Sequence, residues 1–243
     1  MSSYKTFASF YDRLTENVDY KVRSEYISNF FSQAEAESNA VLDLACGTGS
    51  LSKFLSDMGY SVTGIDISEE MLNEACAKEI KNAVFIKGDI TDFKLPYSCG
   101  FCICSLDSIN HLNSIESVKK CFLCVAQALE KGGIFVFDVN TEYKQKNILG
   151  NNTFVFDEDD FFLSWDNELN EDNSVNIFLD FFVFNGKSYD RFSESFTEYV
   201  YDSNELEKLL ELCGIQVIGV YDELPLNPPK SNSERIYYVC KRK

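Results

Sequence analysis

The chain has 243 residues, nine cysteines, a single histidine and a formal net charge of −17 at pH 7. That acidic balance, with a pI near 4.4, speaks against a nucleic acid or an anionic membrane as partner, because phosphate backbones are bound by surplus Lys and Arg. No stretch approaches the ~20 apolar residues of a membrane span.

The opening Met1-Ser2-Ser3-Tyr4-Lys5-Thr6 lacks the basic region and apolar run of a signal peptide. Reduced thiols and a cytoplasmic location are therefore expected. The length and the 45% hydrophobic content allow one α/β domain with an elaboration, or one large and one small domain.

Residues 3–37 carry aromatic and aliphatic side chains at helical spacing (Phe7, Phe10, Tyr11, Leu14, then Tyr20, Tyr26, Ile27, Phe30). Two helices are expected there, packed on the edge or mouth of a sheet. Val41 to Ala45 is an apolar run broken only by Asp43, as in a strand buried on both faces. Gly47-Thr48-Gly49 is a tight turn, Ser50 is read as the cap of a helix through Leu51, Phe54, Leu55 and Met58, and Gly59 as its C-cap. Ser61 to Ile65 is the second strand, and Ser68 caps a helix with Glu69 and Glu70 in its first turn. Ala83 to Lys87 and Phe101 to Ser105 are the third and fourth strands. A helix over Ser114 to Leu129 closes at Gly132-Gly133, and Ile134 to Asp138 is the fifth strand. This β-α repetition predicts a doubly wound parallel sheet.

The period then changes to two. Val175, Ile177, Leu179, Phe181 and Val183 share a face, Asn185-Gly186 marks a hairpin, and alternation runs over 153–201. An inserted antiparallel sheet at 141–199 is expected, flanked by a main domain of 1–140 and 200–243. Helical spacing resumes with Ser203 read as the cap, then Leu206, Leu209, Leu210 and Leu212, with Gly214 as the C-cap. Two strands, Ile215 to Tyr221 and Arg235 to Lys241, end the chain around a loop from Pro225 to Pro229.

Gly47 and Gly49 let a ligand approach the main chain. A dinucleotide fingerprint would place a third glycine at position 52, where this chain has Ser52. Asp66, ~20 residues past the turn, is placed to accept hydrogen bonds from both ribose hydroxyls. Asp89 can accept from an adenine amino group, with Ile67 and Ile90 on the two faces of the ring.

In this order the motifs resemble the class I S-adenosylmethionine-dependent methyltransferases. Asp43 to Gly49 resembles their first motif, Gly64 to Leu72 their ribose motif and Gly88-Asp89-Ile90 their adenine motif. Phe101 to Leu112 and Lys131 to Ile134 match their fourth strand and entry to the fifth. The opening Tyr4 to Asp12 is similar to small bacterial members, amino-sugar N-methyltransferases among them. The resemblance implies a Rossmann-like sheet of seven strands, the last antiparallel. It implies S-adenosyl-L-methionine as cofactor and a small-molecule acceptor. Gly47 and Gly49 would face the methionine part, with Tyr11 and the Ser105-Leu106 backbone as further cofactor contacts. Asp43 would bind or shape the same pocket, since a charge in so apolar a run needs a partner.

Four functions are weighed. Methyl transfer to a small molecule comes first, then an RNA methyltransferase, disfavoured by the charge. A non-enzymatic adaptor and an NAD-dependent oxidoreductase follow, the latter disfavoured by Ser52 and Asp89. His111 and Asp107, in the turn after the fourth strand, are the candidate catalytic residues. Cys99/Cys102 and Cys121/Cys124 have zinc-ribbon spacing, but strand and mid-helix positions suit core packing better, and no metal is expected. The Phe-rich insert is an acceptor lid, a self-contained core or a dimer surface; monomer and homodimer both stay open.

Overall fold

The computed structural model describes residues 3–222 and 226–243. Pro225, at the start of the expected last loop, lies outside the described residues, as do the side chains of Tyr4, Lys5 and Thr6. Helices α1 (Ser3–Leu14) and α2 (Tyr20–Phe31) come first, as the spacing predicts. Then follow β1 (Ala40–Leu44), α3 (Ser50–Asp57), β2 (Ser61–Asp66), α4 (Glu69–Ala77), β3 (Ala83–Lys87), β4 (Cys99–Cys104), α5 (Ile115–Ala128) and β5 (Leu129–Asn140). A short helix, α6 (Glu142–Lys144), leads to four strands: β6 (Thr153–Asp157), β7 (Phe161–Leu169), β8 (Val175–Phe184) and β9 (Tyr189–Glu198). Helix α7 (Ser203–Leu212) and strands β10 (Ile215–Asp222) and β11 (Arg235–Arg242) close the chain.

The seven-stranded sheet has the order β10-β11-β5-β4-β1-β2-β3. β1, β2, β3, β4 and β5 pair in parallel, whereas β11 lies antiparallel between β5 and β10. β1 has β2 on one side and β4 on the other, so the strand order reverses there. In open α/β sheets that reversal opens a crevice at the carboxyl ends of the strands.

Helices cover both faces because the central strands are apolar on both. Tyr26, Ile27, Phe30 and Phe31 of α2 pack with Leu51 and Leu55 of α3 on Val41, Phe101, Val136 and Tyr237. On the other face Val118, Phe122 and Val125 of α5 and Leu206 and Leu210 of α7 pack on Leu42, Cys102, Phe135 and Tyr238. Each such large side chain, fully buried, contributes roughly 1.5–3 kcal/mol. Thus α2 lies on a face of the sheet, not on its edge. Helix α1 is the one at the mouth, against α4 and β9.

The second sheet is a meander, β6-β7-β8-β9. The shared face of Val175, Ile177, Leu179, Phe181 and Val183 packs with Leu149, Phe161 and Leu163 and with Phe7, Phe10 and Leu14 of α1. The Phe-rich insert therefore spends this face on a core shared with the N-terminal helix. The β8–β9 hairpin forms at Asn185-Gly186, but with four residues between the paired Phe184 and Tyr189. Asn185 organises that loop by accepting from the amides of Lys187 and Ser188.

Two caps differ from expectation. Gly49, with φ +73°, precedes α3, and the Ser50 side chain turns away to Asp12. Asp202, one residue before Ser203, caps α7 by accepting from the Glu205 amide. Ser68 caps α4 as expected, and Ser114 caps α5 by accepting from the Ser117 amide. All nine cysteines are free thiols. Cys99 and Cys124 direct their sulfurs at different carbonyls, those of Ala128 and Thr91. Among the described residues no helix is long and apolar enough to cross a membrane.

Candidate active site

Three strand ends and two loops meet at the crevice. After β1 the backbone enters the left-handed region three times within five residues, at Ala45 (φ 52°), Gly47 (φ 53°) and Gly49 (φ 73°). Glycine enters this region without steric cost, so of the three only Ala45 is strained. Gly49 has a second reason to lack a side chain, since a Cβ there would lie 2.8 Å from the Phe85 ring. The space a Cβ would take at Gly47 is open except for the Tyr11 ring at 4.0 Å.

Asp66 ends β2 and grips this turn. Its two oxygens accept from the amides of Gly47 and Ser68, each at 2.8 Å. Burial pushes its carboxyl up, against backbone hydrogen bonds that favour the charged form. Behind the turn Asp43, 2% exposed, accepts from the Ser52 hydroxyl at 2.5 Å. Burial raises Asp43 to about 7, the Asp66 charge adding to the shift and the Ser52 bond opposing it. The residue that replaces the third glycine of a dinucleotide fingerprint thus satisfies the buried acid.

The side of Ile67 and Asp89 is more open. Ile67 is 69% exposed and Ile90 is buried. Asp89 is exposed and accepts from both the amide and the hydroxyl of Thr91. A wide-open Ile beside a strand end fits an apolar ring, and a bare glycine turn fits a close-lying chain, so these residues suit an adenosyl group with a methionyl tail.

The loop after β4 faces the turn. Leu106 (φ 57°) and Asp107 (φ 53°) are left-handed in succession. Asp138 of β5, fully buried, holds them: it accepts from the Ser105 hydroxyl at 2.8 Å, the Leu106 amide at 2.9 Å and the Asp107 amide at 3.0 Å. Arg235, the first residue of β11, donates to Asp138 and to the Asp107 carboxylate, the latter at 2.5 Å. Although burial raises Asp107, the charges of Arg235, Lys144 and His111 hold it down at about 2. Tyr11 of α1 is half-buried near these acids; desolvation, then Tyr20 and Asp107, raise its phenol above the ordinary value.

His111 ends a short 3-10 turn, Ser108–His111. It is exposed, and its ring lies 5.0 Å from that of Phe196 in the insert. Ligand atoms of Asp107, His111 and Glu198 lie within 4.8 Å of one another. Glu198, at the end of β9, is buried, and one of its oxygens accepts from the amides of Asn140 at 2.9 Å and Gln145 at 2.8 Å. Burial, then the Asp107 charge, push its carboxyl up. Asn110 binds the insert's exit to the sheet by donating to the carbonyls of Asn140 and Tyr199.

The sequence reading missed Asp138, Arg235, Glu198 and Asn110. Asp138 carries the same signal as Asp43, an acid in an apolar strand. Arg235 and Glu198 carry none locally, because their partners lie 97 and 58 residues away.

A profile of the family described as "Methyltransferase domain" matches residues 41–133. The chain is 33% identical to a putative methyltransferase, YqeM, of Bacillus subtilis, over 98% of this chain and 97% of that protein. The chain belongs to the class I S-adenosylmethionine-dependent methyltransferases. A solved S-adenosylmethionine-dependent methyltransferase from Clostridium acetobutylicum shares the whole architecture, with a TM-score of 0.88, 33% identity and 98% of each chain covered. Similarity also extends to a dTDP-3-amino-3,4,6-trideoxy-alpha-D-glucopyranose N,N-dimethyltransferase of Streptomyces venezuelae, 30% identical over 49% of this chain and 50% of that protein. This methyltransferase is an enzyme, and S-adenosyl-L-methionine is its cofactor.

Proposed function

We propose that this methyltransferase acts on a small-molecule acceptor bearing an amine, placed between the β4 loop and the insert. The reading is carried by the convergence of Asp107, His111 and Glu198 within 4.8 Å at the crevice. Oxygens of the two acids can accept from an amine N–H, and an imidazole can accept the proton that an amine must lose before it attacks. The Streptomyces relative, whose name places a methyl group on an amino sugar, supports the same class. A net charge of −17 favours a cationic small molecule over RNA.

Bound S-adenosyl-L-methionine supplies a methyl group already activated on sulfur. The protein's task is then alignment and exclusion of water. In this reading Asp66 accepts from the ribose hydroxyls, Asp89, Ile67 and Ile90 hold the adenine, and Gly47, Gly49, Tyr11, Ser105 and Leu106 surround the methionine end. Asp43 supports the turn from behind. Residues 1–140 and 200–243 form the cofactor-binding body, and 141–199 supply Glu198 and the acceptor wall. Nine free thiols fit a reducing, cytoplasmic compartment.

The test is a metabolite screen with S-adenosyl-L-methionine, scored by S-adenosyl-L-homocysteine released. An amine acceptor is expected, with His111→Gln losing turnover while keeping cofactor affinity. Activity confined to RNA, or to hydroxyl acceptors, would overturn the reading.

A further inference from the structure

The last strand, rather than any cofactor motif, supplies the cation that shapes the β4 loop. Arg235 comes from β11, antiparallel in the sheet and paired there with Asn140 of β5. Its guanidinium is nearly buried and forks between two carboxylates from different elements, Asp138 and Asp107. Asp138 in turn holds three successive residues of the loop, Ser105, Leu106 and Asp107. Two of those three are non-glycine residues in the left-handed region, a conformation that persists only where its surroundings over-determine it.

We infer that Arg235 is a positioning residue: by bridging Asp107 and Asp138 it holds the β4 loop in its cofactor-receiving shape. Two acids side by side at low exposure repel and desolvate each other, and a planar fork is the group suited to join them. The other charged or titratable groups facing Asp107 are His111 on its own turn, Lys144 of α6, Glu198 of β9 and Tyr11 of α1. Lys144 is already engaged with the Asn140 side chain, and Glu198 adds repulsion, so Arg235 is the cation in direct contact. The inference rests on the cofactor use shared by the family and not on the nature of the acceptor, so the two can fail separately.

The experiment is calorimetric binding of S-adenosyl-L-homocysteine to the full chain between about pH 5 and about pH 8. Arg235→Gln is expected to weaken binding about tenfold near neutrality, the size of one charge-assisted hydrogen bond. Its loss relative to the parent should also change with pH, because removing the cation shifts the Asp107 carboxyl towards its neutral form. Arg235→Lys keeps the charge without the fork, so it should restore the parent's pH profile but not the parent's affinity. This second variant also stands in if Arg235→Gln fails to fold. Binding by Arg235→Gln within about a factor of two of the parent at every pH overturns the inference. So does a loss that is uniform across pH, as a merely structural role would give, or an Arg235→Lys variant that binds as tightly as the parent.

Discussion

The backbone amide of Gly47 donates to the carboxylate of Asp66 at 2.8 Å, so the turn that ends the first strand is locked to the end of the second. The same carboxylate accepts from Ser68, the cap of α4. One acid thus joins the glycine turn, the second strand and the following helix.

Asp66→Ala is therefore expected to remove a cofactor contact and unfasten the turn together. Two hydrogen bonds to a charged group are lost, so S-adenosyl-L-homocysteine affinity should fall by at least about a hundredfold. Calorimetry measures this; an affinity close to that of the parent would refute both the contact and the fastening role.

Asp43 predicts a pH-dependent stability. Its carboxyl is raised from 3.8 to about 7, chiefly by burial. A folded-state pKa above the unfolded one contributes stability that is complete below pH 4 and is lost as pH rises towards 7. At alkaline pH the folded chain carries an ionised buried acid, a cost on the order of 4 kcal/mol at most. Asp43→Asn should therefore raise the melting temperature relative to the parent at pH 8, by several degrees, and change it little at pH 4. Thermal melts at the two values decide it, and equal differences at both would refute the assignment.

Gly49→Ala should damage both fold and site. The position needs φ +73°, and a Cβ would press on Phe85 at 2.8 Å and Ala75 at 3.1 Å. A loss of roughly 1–3 kcal/mol is expected from the conformation alone, read by denaturant unfolding, with loss of cofactor binding.

Asp12 fastens the N-terminal helix over the turn. It accepts from the Thr48 and Ser50 hydroxyls and pairs with Lys78 at 2.6 Å. Burial alone would raise its pKa, but Lys78 and the two hydroxyls hold the carboxyl below the usual range. Its contribution is present above the unfolded pKa and is lost as pH falls through the folded one. Since the pair is half-exposed, Asp12→Ala should cost only about 1 kcal/mol of global stability. It should speed hydrogen exchange in α1 far more than in β1, and equal acceleration in both would count against a local fastening role.

Much of this was legible in the chain itself. Hydrophobic period located the parallel strands and the switch to alternation beyond residue 141. Gly47, Gly49, Asp66 and Asp89 could be picked out because a turn, a strand end and a helix cap each leave a local signature. Ser50 and Ser203 were misread as caps because a neighbour, Gly49 or Asp202, took the position. Cap preference alone does not separate adjacent candidates.

Local pattern by itself determined that this chain builds a doubly wound sheet with a glycine turn and two strand-end acids, since period and turn chemistry act over a few residues. Tertiary structure decided what fills the front of the crevice. Only the antiparallel return of β11 brings Arg235 to Asp107 and Asp138. Only the meander's last strand delivers Glu198 to His111. Only packing against α1 gives the Phe-rich face its partner. These contacts join residues far apart in the chain, and burial and charge pairing across such distances leave no periodic trace in the sequence.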